Sequence, residues 1–349
     1  GHCKGGPFVS LDVNSMYPFV MKQFTYPVKL LRQDQSPSIK FIKEVIVSYG
    51  VIAEVELETE VPAYALRKNH KTLFPIGGFT TFLCTEGLKY AFKHGHVKKI
   101  HQASIYKMAD IFSEYVDFIH ELRQKYKKEN NHVMALLAKY MHNSLYGKLA
   151  QLEIINEKED IDSSGEYSRE VIFNLVTGHN IIVTRMMNTQ ITQRTGGEGK
   201  NSNVAIAAHI TENARFDLWD HMNQVGRENV LYCDTDSIKL RKADFSLVKS
   251  PLSKTKLGAL KIEDRSKKLY IEGSKNYRTE KGRRIKGIPE SAKEIVPGTF
   301  SYRWFAGQVT HLKKNIPVGA RVETLTRTLT AVYDKGVIHP DGTVTPLRL

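Results

Sequence analysis

Carboxylates at two points far apart in the chain constrain its fold more than any other feature. Asp12 ends the apolar run Phe8–Val13 (FVSLDV), and Asp234 and Asp236 flank one threonine in YCDTDS. The first run reads as a short buried strand that stops at a turn, Asn14-Ser15. The second, NVLYCDTDSIKL, reads as a hairpin with Asp234-Thr235-Asp236 at its tip. Asp in a turn is ordinary, because its side chain bonds the local backbone. A strand-end Asp far upstream changes the balance. Carboxylates at strand ends stand clear of the ladder and can converge on a hard cation that wants oxygen ligands. Two such ions about 3.5–4 Å apart activate a hydroxyl and stabilise a leaving oxygen in phosphoryl transfer.

Between these runs lies a candidate for the matching positive charge. Ile111, Tyr115, Phe118, Ile119 and Leu122 fall on one helical face, and Met134, Leu137, Ala138 and Met141 resume the period after a break at Asn130-Asn131. Two antiparallel helices are expected. In the second, Lys139, Asn143 and Tyr146 are spaced by four and three and share a face, which Arg123 and Lys127 of the first could join. Fixed positive charge of this kind suits a triphosphate.

The rest of the chain alternates apolar and polar stretches. Val45–Val61 (VIVSYGVIAEVELETEV) reads as strands, and TLFPIGGFTTFLC as part of a small β-rich subdomain. Glu153–Asn203 is polar, with strand-like runs EVIFNLV and HNIIVT, and Ala205–Asn223 reads as a helix. The net charge of +14 sits wholly beyond residue 238, where 24 Lys and Arg face 10 Asp and Glu. A basic segment of that kind most often meets a polyanion, nucleic acid above all. Three scattered cysteines, Cys3, Cys84 and Cys233, make neither a disulfide framework nor a CxxC zinc site, which suits a reducing compartment. No apolar run reaches the roughly 20 residues of a membrane span. The start at Gly1, without a methionine or signal segment, suggests a piece of a longer protein.

The runs DVNSMYP, KYMHNSLYG and YCDTDS resemble motifs A, B and C of family B DNA polymerases, in the family's order. Their details are similar to the protein-primed branch of phages, viruses and linear plasmids. Thr211, Ala214 and Arg215 in TENAR resemble that branch's Tx2GR motif, with Ala for Gly, and Lys275-Asn276-Tyr277 resembles its KxY motif. The run TKLGAL also looks like that branch.

The resemblance implies an α+β, right-hand polymerase fold with an antiparallel-sheet palm, helical fingers, a small thumb and inserted β-rich subdomains. Residues 1–24 and 204–286 would form the palm, 112–151 the fingers and 287–349 the thumb. Residues 25–111 and 152–203 would be insertions resembling the first and second terminal-protein regions. It implies DNA-directed synthesis from dNTPs with two Mg2+ ions, for which Mn2+ substitutes. Asp12 and Asp236 would bind metal with the Val13 carbonyl, beside a less critical Asp234. Ser15, Arg123, Lys127, Lys139 and Asn143 would bind the nucleotide. Tyr17 would gate against a 2′-hydroxyl, and Tyr146 would line the nascent pair. Gly147, Thr211, Arg215, Lys275 and Tyr277 would contact DNA.

The expected partners are template and primer DNA, dNTPs and a terminal protein primer, with no membrane and a monomeric state. The expected location is intracellular, in the host cytoplasm, or in a mitochondrion for a linear plasmid. Two departures stand out. Only 11 residues precede Asp12, leaving no room here for a proofreading exonuclease, and Cys3 stands where the YxGG/A linker has Tyr. A primer-independent polymerase of the same family is one alternative. A catalytically silent DNA-binding relative is another, disfavoured by intact Asp12 and Asp236. An RNA-templated or RNA-making enzyme is disfavoured by Tyr17 and by YxDTDS in place of YxDD.

Overall fold

The computed structural model describes residues 3, 5–69, 71–306, 321–329 and 333–349. Along the chain, strand β1 (Phe8–Val13) leads into helix α1 (Met16–Gln23). There follow β2 (Tyr26–Gln35), α2 (Ile39–Val45), β3 (Gly50–Thr59), a small hairpin of β4 (Leu66–Lys68) and β5 (Lys71–Leu73), β6 (Gly77–Leu83), α3 (Thr85–Lys93) and β7 (Val97–Ala109). Helices α4 (Ser113–Lys128) and α5 (His132–Leu149) precede the long strands β8 (Leu152–Asn174) and β9 (His179–Glu198). Helix α6 (Val204–Val225) then leads to β10 (Val230–Asp234), β11 (Ser237–Arg241) and β12 (Leu260–Ser266). The strands β13 (Leu269–Gly273), β14 (Asn276–Thr279) and β15 (Gly282–Ile285) form one sheet. Another holds β16 (Lys293–Val296), β17 (Thr299–Ala306) and β18 (Arg321–Thr328), and β19 (Gly336–Ile338) pairs with β20 (Val344–Pro346).

The fold is α+β, with antiparallel ladders. One compact unit comprises Gly1–Gly147, Val204–Arg284 and Val332–Leu349, and the other Lys148–Asn203 and Ile285–Ala331. At the heart of the first unit is a sheet in the order β10-β11-β1-β12. As an inner strand, β1 is buried along almost its whole length, and its apolar run of Phe8, Val9, Leu11 and Val13 supplies both faces.

A second sheet, β2-β7-β3-β6, lies in the stretch expected as the first insertion. In β3 the alternation is strict: Val51, Val55 and Leu57 point inward, while Glu56 and Glu58 are exposed. Each such apolar side chain contributes about 1.5–3 kcal/mol on full burial. Their partners are Ile42 and Ile46, Leu88 and Ala91 of α3, and Trp219 of α6. The expectation of strands from Val45 is therefore corrected. Val45 instead closes α2, a helix that Ser38 starts by accepting from Phe41 N (3.1 Å) and that places Ile42 and the following Ile46 at helical spacing on the core face; the strand starts at Gly50.

The paired helices α4 and α5 form as expected, broken at Asn130, which takes a left-handed φ of 55°. Their buried face differs from the expected one. Val116 and Ile119 are buried in α4, and Ala138 and His142 in α5, while Phe118, Leu137 and Met141 are exposed. The shared face is narrow and partly polar: Tyr115 donates to the Met141 carbonyl (2.9 Å), and His142 Nε2 to that of Val116 (3.1 Å).

In the second unit, β8 and β9 pair as a long two-stranded ribbon. Its turn is fastened by Asn174, whose Oδ1 accepts from Val176 N (2.9 Å) and Thr177 N (3.1 Å). The stretch expected as one thumb is divided. β16, β17 and β18 belong to this second unit, whereas the C-terminal residues join the first, where Leu349 N donates to Ile76 O (2.9 Å) and Ile76 N to Leu347 O (2.9 Å). Among the described residues no helix is long and apolar enough to cross a membrane.

Candidate active site

Strand register brings the distant carboxylates together. Asp12, at the end of β1, pairs with Ser237 on β11 and with Lys261 on β12. The tip of the β10–β11 hairpin is a tight turn with Thr235 left-handed (φ 55°), closed by Asp236 N donating to Asp234 O (2.6 Å). Val13 N in turn donates to Asp236 O (2.8 Å), which ties the turn to the β1 end. Burial, and then the nearby charge of Asp12, push the Asp236 carboxyl up to about 6. A carboxyl raised in this way beside a second carboxylate invites a cation.

Two lysines answer that invitation. Lys261 Nζ lies 2.5 Å from Asp12 Oδ2. Lys275 Nζ holds both oxygens of Asp234, at 2.6 and 2.8 Å. Lys275 itself has a left-handed backbone (φ 56°), steadied where its N–H donates to the Tyr232 hydroxyl (2.8 Å). The Tyr277 ring beside it lies 4.2 Å from Lys239 Nζ, a buried lysine that donates to Ser10 Oγ (2.9 Å).

Among the described residues no three His, Cys, Asp or Glu side chains converge to cage an ion. Asp234 is engaged by Lys275 and Asp12 by Lys261, with Asp236 near enough to Asp12 to feel its charge. This fits a Mg2+-type ion, which takes one or two carboxylates and draws its other oxygens from water and substrate phosphates.

Around this pair the helices add charge and aromatic surface. Ser15, left-handed at the head of α1 (φ 51°), accepts from Arg123 Nη1 (3.3 Å). The loop before it is pinned where Asn14 Nδ2 donates to Ser253 O (2.6 Å). Gly258 (φ 75°) approaches the Phe19 ring so closely that a Cβ would sit 2.2 Å from it, which accounts for the glycine in TKLGAL. Lys127 feels the positive charges of Arg123, Lys261 and Lys139, so the cations expected on α4 and α5 form one cluster with Lys261. Tyr17 and Tyr146 stack with centroids 4.1 Å apart at 15°, and burial first, then Tyr146, pushes the Tyr17 phenol up to about 12.

The other expected residues are less engaged. Asn143 and Gly147 are exposed on α5, and a Cβ at Gly147 would meet nothing within 4 Å. On α6, Thr211 bonds back to the Ala208 carbonyl (3.0 Å), and Arg215 is exposed near Tyr17.

Three residues with evident roles carried no local signal. Lys261 becomes visible only through its register with Asp12, and Lys239 through its burial under Tyr277. Glu212, inside TENAR, is fully buried: its carboxylate accepts from Cys84 N (2.9 Å) and Gly87 N (2.9 Å) at the head of α3. Burial pushes that carboxyl up to about 7 against those hydrogen bonds.

Known proteins resemble this chain in sequence and fold. The family described as DNA polymerase type B, organellar and viral, matches residues 1–247. A Neurospora intermedia protein named "Probable DNA polymerase" is 26% identical over 273 residues, which is 73% of this chain and 27% of that protein. The DNA-directed DNA polymerase of Enterobacteria phage PRD1 is 28% identical over 291 residues, 82% of this chain and 48% of its own length. The chain thus spans less than half of either relative. Among solved structures, Phi29 DNA polymerase complexed with primer-template DNA and incoming nucleotide superposes with a TM-score of 0.62 at 17% identity, over 93% of this chain and 58% of that one. The fold is therefore the right-hand polymerase fold.

Proposed function

The chain belongs to the organellar and viral type B DNA polymerases, and on that premise we propose that Asp12 and Asp236 are the centre of a site that adds deoxynucleotides to a 3′ hydroxyl. The observation that carries this reading is their convergence from β1 and the β10–β11 turn, beside the cations Arg123, Lys127, Lys139 and Lys261. Two divalent ions bound by Asp12, Asp236 and the Val13 carbonyl would polarise the phosphate and neutralise charge built up in the transition state. Arg123, Lys127 and Lys139 bind and orient the triphosphate, with Ser15 and Asn143 at its edge. Tyr17, braced by Tyr146, forms the floor under the sugar and excludes a 2′-hydroxyl. Lys275 and Tyr277 hold the primer end, and Thr211, Arg215 and Gly147 border the template.

In this reading residues 1–24 and 204–286 act as palm, 112–151 as fingers, and 25–111 and 152–203 as insertions that meet a priming protein or the DNA. The whole protein replicates a viral, phage or plasmid genome, starting from a terminal-protein hydroxyl. Primer extension with Mg2+ tests the core of this. Wild type should extend a DNA primer with dNTPs and not with NTPs, and Asp12→Ala or Asp236→Ala should lose at least about 10³-fold while still binding DNA. Near-normal extension by either variant would sink the assignment.

A further inference from the structure

Lys261 occupies a position that the catalytic reading leaves unexplained. It stands on the edge strand β12 directly opposite Asp12 of the inner strand β1, with its Nζ 2.5 Å from Asp12 Oδ2. Asp236 lies close enough to gain stabilisation from the same charge, and Lys127 of α4 is near enough to feel it as well. The groups acting on this ammonium are thus two carboxylates on the sheet and a lysine of the phosphate-binding cluster. A divalent ion at Asp12 must share its carboxylate with Lys261, and an ammonium within contact distance of that ion repels it.

We propose that Lys261 is a resident counter-ion of the metal site. In the nucleotide-free protein it neutralises the Asp12–Asp236 pair, and it yields that place only when metal enters, turning toward the triphosphate on the Lys127 side. Lysine suits this task better than arginine would at a fixed bidentate contact, because it is a compact charge on a flexible stem. One consequence is that metal binds weakly alone and more tightly with nucleotide, since each relieves a cost the other meets. A second is that the site holds its shape without metal. The inference rests on Asp12 and Asp236 being metal ligands, and Lys261 acts through Asp12 as a positioning residue.

Titration of Mn2+ against the protein without DNA or nucleotide, following the free-ion EPR signal, tests it directly. Lys261→Met should bind Mn2+ about tenfold more tightly than wild type, a change of about 1.4 kcal/mol. Structural damage moves the affinity the other way, so the sign is diagnostic, and Lys261→Gln repeats the test should the methionine variant fold poorly. Lys261→Arg, which keeps the charge, should stay near wild type. In EDTA the same Met variant should bind a labelled deoxynucleoside triphosphate about threefold more weakly, opposite in sign to its metal affinity. Unchanged or weakened Mn2+ binding in both neutral variants, with Asp12→Asn still reducing it, overturns the role of Lys261 alone. An Asp12→Asn protein that binds Mn2+ as well as wild type overturns the metal reading on which it rests.

Discussion

Tyr17 and Tyr146 stack almost face to face at 4.1 Å, one on the first turn of α1 and the other near the end of α5. A ring held in that way has little freedom to swing aside, so its edge makes a fixed steric boundary. Tyr17→Val should therefore raise ribonucleotide incorporation about tenfold or more relative to dNTP use, a discrimination of the size steric fit supplies. Comparison of kcat/KM for ATP and dATP checks it, and an unchanged ratio would refute the gate. Asp236 supplies a pH dependence. Its carboxyl is raised from the ordinary 3.8 to about 6, so the folded state holds this proton more tightly than the unfolded chain. Without metal, the group contributes stability that is complete below about 4 and fades as pH rises through about 6. Asp236→Asn should flatten that part of a Tm profile taken in EDTA between pH 4 and 7. A profile that keeps the wild-type slope would show that the carboxyl is not perturbed.

Helices α3 and α6 are joined by one carboxylate. Glu212 takes the place of an N-cap for α3, accepting the backbone donors of Cys84 and Gly87, while His209 one turn earlier meets the Thr85 hydroxyl (2.9 Å). A Cβ at Gly87 would lie 2.6 Å from Glu212 Oε1, so the glycine makes the approach possible. Glu212→Ala strands two buried donors and should cost about 1–3 kcal/mol in urea unfolding. Such a loss, without a matching loss in template-DNA affinity at a temperature where the variant stays folded, would separate this structural role from the template contact expected of TENAR. Stability close to wild type would instead mean that water replaces the carboxylate. Helices α4 and α5 illustrate the opposite situation. Their expected apolar stripe is largely exposed because each helix buries only one narrow face, fixed by the Tyr115 and His142 hydrogen bonds rather than by the longest apolar row.

For the molecule as a whole, the stretch between Thr25 and Ala109 is not a detachable module. Its sheet and helices share one core with Trp219, against which Phe216 also packs. Excising residues 25–109 should expose that face of α6 and lower the cooperativity of unfolding, as a drop in denaturant m-value and gain of ANS binding would report. A sharp transition in the excised protein would show that the core closes without it. The basic excess of the last third is divided between the two compact units. If it tracks DNA, binding should fall steeply with salt, with a log–log slope of about −0.9 per phosphate contact. Lys275→Ala should lower that slope by less than one full contact, because Asp234 already takes part of its charge. A salt-insensitive affinity would assign the excess to solvated surface.

Asp12, Asp236 and the helical cations could be read from runs of a few residues. Strand-end apolar patterns, turn chemistry and i, i+4 spacing are local, and each leaves its mark within one turn of helix or one hairpin. The same locality explains why β1, the β10–β11 hairpin and α6 formed where expected. Lys261 across from Asp12, Glu212 under α3 and Lys239 under Tyr277 left no such mark. A strand's period of two tells which face a side chain takes but not which strand will lie beside it. That neighbour was chosen by burial of β1 between β11 and β12, more than two hundred residues downstream. The charge pairing of the site therefore arose from packing, since an ion pair a few ångströms wide depends on contacts that only the closed sheet creates.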